Sequence, residues 1–483
     1  MASLPLETLP FDDVTDFENA DRGFIGALVP GVVEGAEGRT VWDSDAYAFL
    51  KADCPDTANP SLWRQAQLAS KQGLYEVTDG IYQVRGLDLS NMTLVEGERG
   101  VVVIDPLISA ETAAAALGLY REHRGDRPVT GLIYTHSHGD HFGGARGVLP
   151  RGTEEGVPIL APAGFLEQIE YFGDGYDVAF ASHHWPTWGR ENVVTFLSAQ
   201  RDLYAYMHDQ TLRLLNDGLT GPEIAEELQL PPALENSWHA RGYYGSLSHN
   251  VKAICQRYLG WFNGNVATLW EHPPVELARR YVDSMGGADQ TLAKARAYAD
   301  SGDLRFAATL LNHLVFAEPG RTDAKEALAG VYDTLGHGAE NGPWRNFYLT
   351  SAMELRHGEN AALLDTANPE MATALTTDML IDSIAVRIDG PRAWDEDLTI
   401  DLVLTDEGSH HRLTLHNGAL THRTVTDPRT PAVLTLTLTK PQLLAVLAGR
   451  APDSISTAGS PALLSRLFSY VTKADAAFPI VTP

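Results

Sequence analysis

The sequence predicts an α/β layered domain, then a helical region, then a small α+β module. Three observations carry this. Short β-branched and aromatic runs between residues 81 and 104 pass into a strand-helix-strand pattern, a helical apolar rhythm begins beyond Arg190, and apolar-polar alternation returns beyond about Glu359. The implied domains are residues 1–190, 191–358 and 359–483.

Residues 1 to about 72 hold neither period and read as a wrapped N-terminal arm. Ile81–Val84, Met92–Val95 and Val101–Ile104, separated by turn residues, read as three successive strands. Glu111–Arg124, rich in Ala and Leu, suits a helix, and Val129–Thr135 suits a buried strand that ends on His136. A short strand is expected at Pro158–Ala161, a helix at Phe165–Phe172, and a strand at Asp177–Ser182 running into His183.

From Arg190 the apolar positions Leu203, Met207, Leu212, Ile224 and Leu228 keep a helical spacing. Residues 288–356 carry two weakly repeated helix pairs with small residues such as Ala295, Ala299, Ala324 and Ala327 at the crossings. They are similar to tetratricopeptide-type hairpins, although two units make a packing element and not a peptide-binding array. In the last region Ser383–Ile388, Leu398–Leu404, Arg412–Leu415 and Val433–Leu438 alternate as half-buried strands, with a hairpin turn at Asn417-Gly418. Helices are expected at Gln442–Ala448 and Pro461–Val471.

Composition narrows the function. The 483 residues hold 36 Lys+Arg against 63 Asp+Glu, a net charge of -27 that repels phosphate backbones and anionic lipid surfaces. Thr220–Leu230 has the outline of a helix-turn-helix start, but Glu223, Glu226, Glu227 and Glu235 oppose DNA and no basic recognition helix follows. No nucleic-acid partner is expected. Cys54 and Cys255 cannot build a disulfide framework. The N-terminus lacks the basic start and apolar stretch of an export signal, and no apolar run reaches the length of about 18 residues that a membrane span needs. The expected address is the cytoplasm.

The chemistry concentrates in Thr135-His-Ser-His-Gly-Asp-His-Phe-Gly-Gly144. Imidazole nitrogens and a carboxylate within so few residues form a ligand set for Zn²⁺ and related divalent ions. His136 and His138 share a side of an extended segment, while Gly139 lets Asp140 and His141 turn toward a second position. Two adjacent metals fit this spacing; a polar surface loop in a chain with 17 histidines is the bland alternative.

The block resembles the His-x-His-x-Asp-His signature of the metallo-β-lactamase superfamily, whose fold is an αββα sandwich. Val103-Ile-Asp105 resembles the strand and Asp that stand before the metal loop there, so Asp105 orients the loop or simply caps a strand. Further words narrow the likeness: Asn59-Pro-Ser-Leu-Trp-Arg-Gln65, Asp79-Gly-Ile-Tyr-Gln-Val-Arg-Gly86, Leu89-Ser-Asn-Met-Thr93, Ala181-Ser-His-His-Trp-Pro186, Arg241-Gly-Tyr-Tyr-Gly-Ser-Leu-Ser-His-Asn250 and Gly342-Pro-Trp-Arg-Asn-Phe-Tyr-Leu349. Together they look like the alkyl sulfatases of that superfamily, which join a catalytic domain, a helical dimerisation domain and a sterol-carrier-like C-terminal domain.

The resemblance implies a homodimeric hydrolase of alkyl sulfate esters using two zinc ions. His136 and His138 would hold one ion, and Asp140 and His141 the other. Asp140 and His141 are also the expected catalytic residues. One of His183 and His184 would add an imidazole; period does not choose between them, and the preference falls on His183, the first residue after the expected strand.

The sequence also departs from the family. Alkyl sulfatases carry a long segment between the metal loop and the Ser-His-His strand, with two acidic metal ligands and a cluster that grips sulfate. Only about forty residues lie there in this chain, without a matching carboxylate motif, and no Lys or Arg falls between Arg151 and Arg190. Glu154, Glu155, Glu167, Glu170, Asp174 and Asp177 read as solvated surface charges. The resemblance therefore implies weakened activity with as few as one ion, and the rival reading is a catalytically silent dimer that binds lipid-like molecules through its C-terminal domain.

Overall fold

The computed structural model describes residues 9–136, 138–149, 157–160, 177–358, 373, 375–425, 432–450, 455–473 and 477–483. The expected helix at Phe165–Phe172, and Glu154, Glu155, Glu167, Glu170 and Asp174, lie outside the described residues. The chain divides into two compact units, residues 1–356 with 481–483, and residues 357–480.

The first unit is built on a seven-stranded sheet in the order Phe24–Gly26, Gly73–Thr78, Ile81–Arg85, Met92–Glu96, Val101–Ile104, Val129–Ile133, Ile159–Leu160. The first four steps between Phe24 and Ile104 are antiparallel and the last two are parallel. The change of sense needs a crossover, which helix Ala110–Arg124 supplies. Ser109 caps that helix by accepting the Thr112 amide at 3.1 Å, and Gly125, at φ 86, ends it. Such a cap contributes about 1 kcal/mol. The helix buries Ala113, Ala116, Leu117 and Tyr120 against Leu74, Tyr82, Leu94, Val103 and Leu132 of the sheet.

Helices follow from Arg190–Asn216 onward. Ile224, Val251 and Cys255 form one small core there, and Leu292, Ala295, Ala307, Leu311, Leu314 and Leu328 another. Ala295, Ala307, Ala324 and Ala329 are fully buried, as small residues at helix crossings should be.

The second unit is a five-stranded sheet ordered Ala419–Thr424, Ser409–His416, Asp397–Leu404, Leu434–Leu438, Ser456–Gly459. Helices Thr377–Ala385, Lys440–Leu447 and Ala462–Phe468 contribute Ile381, Leu443 and Leu467 to its core. Asp401 and Arg412 face each other across two strands and form a buried two-armed ion pair at 2.7 and 2.8 Å.

The fold agrees with the α/β, helical and α+β layout read from the sequence, and three local expectations need correction. The N-terminal arm is not only a wrap, because Phe24–Gly26 forms the edge of the main sheet. The strand expected at Asp177–Ser182 is only Val178–Ala179, paired with Thr187–Trp188 outside that sheet. Ser383–Ile388 is not a strand: Thr376 caps a helix by accepting the Met379 amide, and Leu380, Ile381 and Ile384 turn one helical face into the core. Three-to-four spacing, extended upstream of Ser383, overrides a short alternation.

Candidate metal centre

Three loops meet at one end of the main sheet. The strand Val129–Ile133 stops before the metal loop because Asp105, at the end of its parallel neighbour, captures the turn. Its Oδ1 accepts the Thr135 amide at 2.8 Å, and its Oδ2 accepts the Thr135 hydroxyl at 2.6 Å, a short bond from Ser182 Oγ, and His141 Nδ1–H at 2.9 Å. Asp105 and His141 are completely buried. Asp105 adopts φ 53, a left-handed conformation that costs a non-glycine residue energy and needs surrounding bonds to hold it. Of the two roles open to Asp105 in the sequence, the geometry matches the orienting one.

The second loop spans residues 86–91. Asp88 is buried and accepts from the Ile108 amide at 3.0 Å and the Thr112 hydroxyl at 2.7 Å. Burial pushes its carboxyl pKa upward, against these bonds. Ser90 Oγ donates to the Asp140 carbonyl, which fixes the metal loop from below.

The third loop carries His183 and His184, and Gln83 of the sheet and Asn91 of the second loop hold it by its carbonyls. The Asn91 amide donates to Ser182 O at 2.6 Å, Asn91 Nδ2 to His184 O at 2.7 Å, and Gln83 Nε2 to Ala181 O at 3.1 Å. His183 Nδ1 lies 3.1 Å from the Leu89 carbonyl, so the proton sits on Nδ1 and Nε2 presents a lone pair.

Asp140 Oδ2 is 3.1 Å from His141 Nε2 and 3.6 Å from His183 Nε2, and the three ligand atoms lie within 4.8 Å of one another. His136 joins them: its ring centroid is 4.0 Å from that of His141 and 4.7 Å from that of His138. His184 does not. Its φ of 63 turns it aside, and its Nδ1 meets Gln65 Nε2 at 2.9 Å. Among the described residues His136 and His138 gather no third carboxylate, thiol or imidazole into such a group.

This arrangement fits a divalent cation. His141 Nε2 is buried without a hydrogen bond, although a carboxylate oxygen stands 3.1 Å away. Asp105 holds the ring proton on the opposite nitrogen, so Nε2 and the carboxylate are both electron-pair donors. A buried orphan of this kind is costly unless a cation lies between the two. Burial, then the neighbouring His141 ring, lowers the pKa of His136 and His183, which keeps both rings in the neutral form that binds metal. Burial and then His183 lower that of His184.

The sequence pattern did not single out Ser182, Gln83 or Asn91 as supports, although all three lie inside words quoted for the resemblance. The other words turn out to be clamps. Arg64 is buried against Trp238 at 4.1 Å and pairs with Asp16 at 3.0 Å. Ser61 Oγ meets Tyr243 Oη at 3.1 Å, and Asn341 Nδ2 donates to the carbonyls of Gly242 and Tyr244 at 2.7 and 2.8 Å. Tyr244 and Trp261 are exposed, while Trp238 is packed.

Comparison with known proteins assigns the regions. Residues 85–191 match the model of the metallo-β-lactamase superfamily, 220–358 that of alkyl sulfatase dimerisation, and 365–483 that of the alkyl sulfatase C-terminal domain. A linear primary-alkylsulfatase of Pseudomonas sp. is 38% identical, with 99% of this chain and 91% of the relative covered. That alignment runs over 616 positions, so the relative carries sequence that these 483 residues do not. An alkyl/aryl-sulfatase of Saccharomyces cerevisiae is 33% identical, covering 98% of this chain and 94% of its own length. The solved structure of the stereoselective inverting sec-alkylsulfatase Pisa1 from Pseudomonas sp. superposes with a TM-score of 0.93 at 36% identity, over 99% of this chain and 97% of that one.

Proposed function

The chain belongs to the alkyl sulfatase family of the metallo-β-lactamase superfamily, and from that membership we propose that it hydrolyses sulfate esters of alkyl chains with zinc. The observation that carries this reading is the buried, unbonded His141 Nε2 facing Asp140 Oδ2, with His183 Nε2 beside them.

Asp140, His141 and His183 would hold one ion, and His136 and His138 would supply the donors for a second. Zinc at such a site supplies Lewis acidity and brings the pKa of water toward neutrality. The chain's own part is orientation. Asp105 and the Leu89 carbonyl each hold a ring proton on the outer nitrogen, and Ser90 and Asn91 set the two histidine loops at a fixed separation. With no further carboxylate gathered at His136 and His138 among the described residues, activity is expected below that of relatives with the full segment.

Residues 220–358 are read as the surface of a homodimer. The exposed aromatic residues Trp261 and Trp270 in that stretch suit burial against a second copy. The C-terminal unit, by its likeness to sterol-carrier domains, is read as a collector of alkyl chains.

A second reading keeps the family and drops the turnover: a silent dimer that binds amphiphiles. The 616-position alignment against 483 residues favours it. Release of inorganic sulfate from dodecyl sulfate by the zinc-loaded chain, before and after chelation, decides between them. Zinc-dependent release supports the enzyme, whereas retained dodecyl binding with no release selects the silent dimer.

A further inference from the structure

The second unit holds a constellation that the family assignment does not use. In strand Ser409–His416, His411 and Leu413 point to the same face, and Leu413 pairs with His422 of the neighbouring strand, which places both histidines on that face. Helix Thr377–Ala385 contributes Asp378 and Asp382, four residues apart and so on one side of the helix. Asp378 Oδ1 stands 3.1 Å from His411 Nδ1 and 3.3 Å from His422 Nδ1. The three ligand atoms lie within 4.8 Å of one another.

Proton placement decides what this cluster is. His422 Nε2 meets Asp382 Oδ1 at 2.9 Å, and a carboxylate only accepts, so the proton of the neutral ring is on Nε2 and its lone pair is on Nδ1. His411 Nε2 meets Ser409 Oγ at 3.0 Å, and with that hydroxyl accepting from Nε2–H the lone pair of this ring is on Nδ1 as well. Both Nδ1 atoms are buried and neither makes a hydrogen bond. His411 is only 5% exposed. In that tautomer two lone pairs and a carboxylate oxygen converge on one point.

We propose that Asp378, His411 and His422 form a divalent-cation site, with Zn²⁺ the best match, pinning helix Thr377–Ala385 to the sheet. Ligands about 2.0–2.1 Å from zinc at tetrahedral angles stand roughly 3.3 Å apart, close to the two separations seen here. Asp382 and Ser409 act as the outer partners that orient each ring. The Asp378 side is 54% exposed, so the remaining coordination position faces solvent. All five residues belong to the second unit and are independent of the histidine loops of the first.

The test is zinc counting on the full, untagged chain. Equilibrium dialysis at matched free zinc should give one ion per chain more for the wild type than for Asp378→Asn, whatever number residues 136–183 retain. Asp378 is half exposed near a helix start, so Asn there should leave the fold intact. Zinc should also raise the melting temperature of the wild type more than that of Asp378→Asn, and the Co²⁺ difference spectrum between the two should show tetrahedral bands. Equal zinc counts for the wild type, Asp378→Asn and the double variant Asp378→Asn with His422→Gln would overturn the site and leave a charge pair between imidazolium and carboxylate.

Discussion

Asp105 Oδ2 lies 2.9 Å from His141 Nδ1, and neither side chain retains any exposure to solvent. One buried carboxylate thereby sets the direction of a buried imidazole whose other nitrogen has no hydrogen bond.

Asp105→Asn should weaken zinc binding at the sheet end by about 10–100-fold while the chain stays folded, because Asn tolerates φ 53 but cannot accept all four donors. Asp105→Ala should also lose stability, leaving Thr135 and Ser182 without their acceptor. Equilibrium dialysis and urea unfolding separate the two effects, and unchanged affinity in Asp105→Asn would reduce Asp105 to a strand cap.

His183 and His184 should behave differently. His183→Ala is expected to lower zinc affinity by at least about tenfold, since its Nε2 faces Asp140. His184→Asn should keep affinity within a few-fold, because that ring points to Gln65 and Asn accepts its positive φ. Competition against a chromophoric chelator measures both; a reversed order would move the ligand role to His184.

Gly144 is a packing requirement of the metal loop. A Cβ there would stand 2.0 Å from the Pro106 carbonyl oxygen and 2.6 Å from that of Ser109, both backbone atoms that cannot step aside. Gly144→Ala should cost about 1–3 kcal/mol or more by urea unfolding. Gly139→Ala, whose Cβ meets nothing within 4 Å, should stay within about 0.5 kcal/mol of wild type.

Glu396 links acid sensitivity to the second unit. Hydrogen bonds from Tyr470 and then Arg466 hold its carboxyl below its ordinary value of 4.5. A carboxyl depressed by folding contributes stability above its unfolded pKa and loses that contribution as pH falls through the folded one. The difference in melting temperature between wild type and Glu396→Gln should therefore be full at neutral pH and shrink as pH falls below the ordinary carboxyl value of 4.5. A difference that did not shrink with falling pH would contradict this.

The sheet and the first histidine loop were legible because their signals are local: β-branched runs between turns, and ligands packed into residues 136–141. The His183 loop was only half legible, since hydrogen bonds from the distant Gln83 and Asn91 to its carbonyls order it, and the positive φ of His184 leaves no mark in the residue pattern. Ser383–Ile388 misled because its alternation is the tail of a helix whose cap, Thr376, lies seven residues upstream of Ser383. Asp378 with His411 and His422 was invisible for another reason. Strand register and helix docking, separated by more than thirty residues, bring those atoms together.

The loop that presents His183 hangs from the carbonyls of Ala181, Ser182 and His184, and its supports, Gln83 and Asn91, belong to the part of the chain that precedes the metal loop. Among the described residues, the hydrogen bonds to these three carbonyls come from Gln83 and Asn91 alone. The aim of the His183 imidazole is therefore written in residues that stand about a hundred positions earlier, and a change at either of them re-points a ring that it never touches.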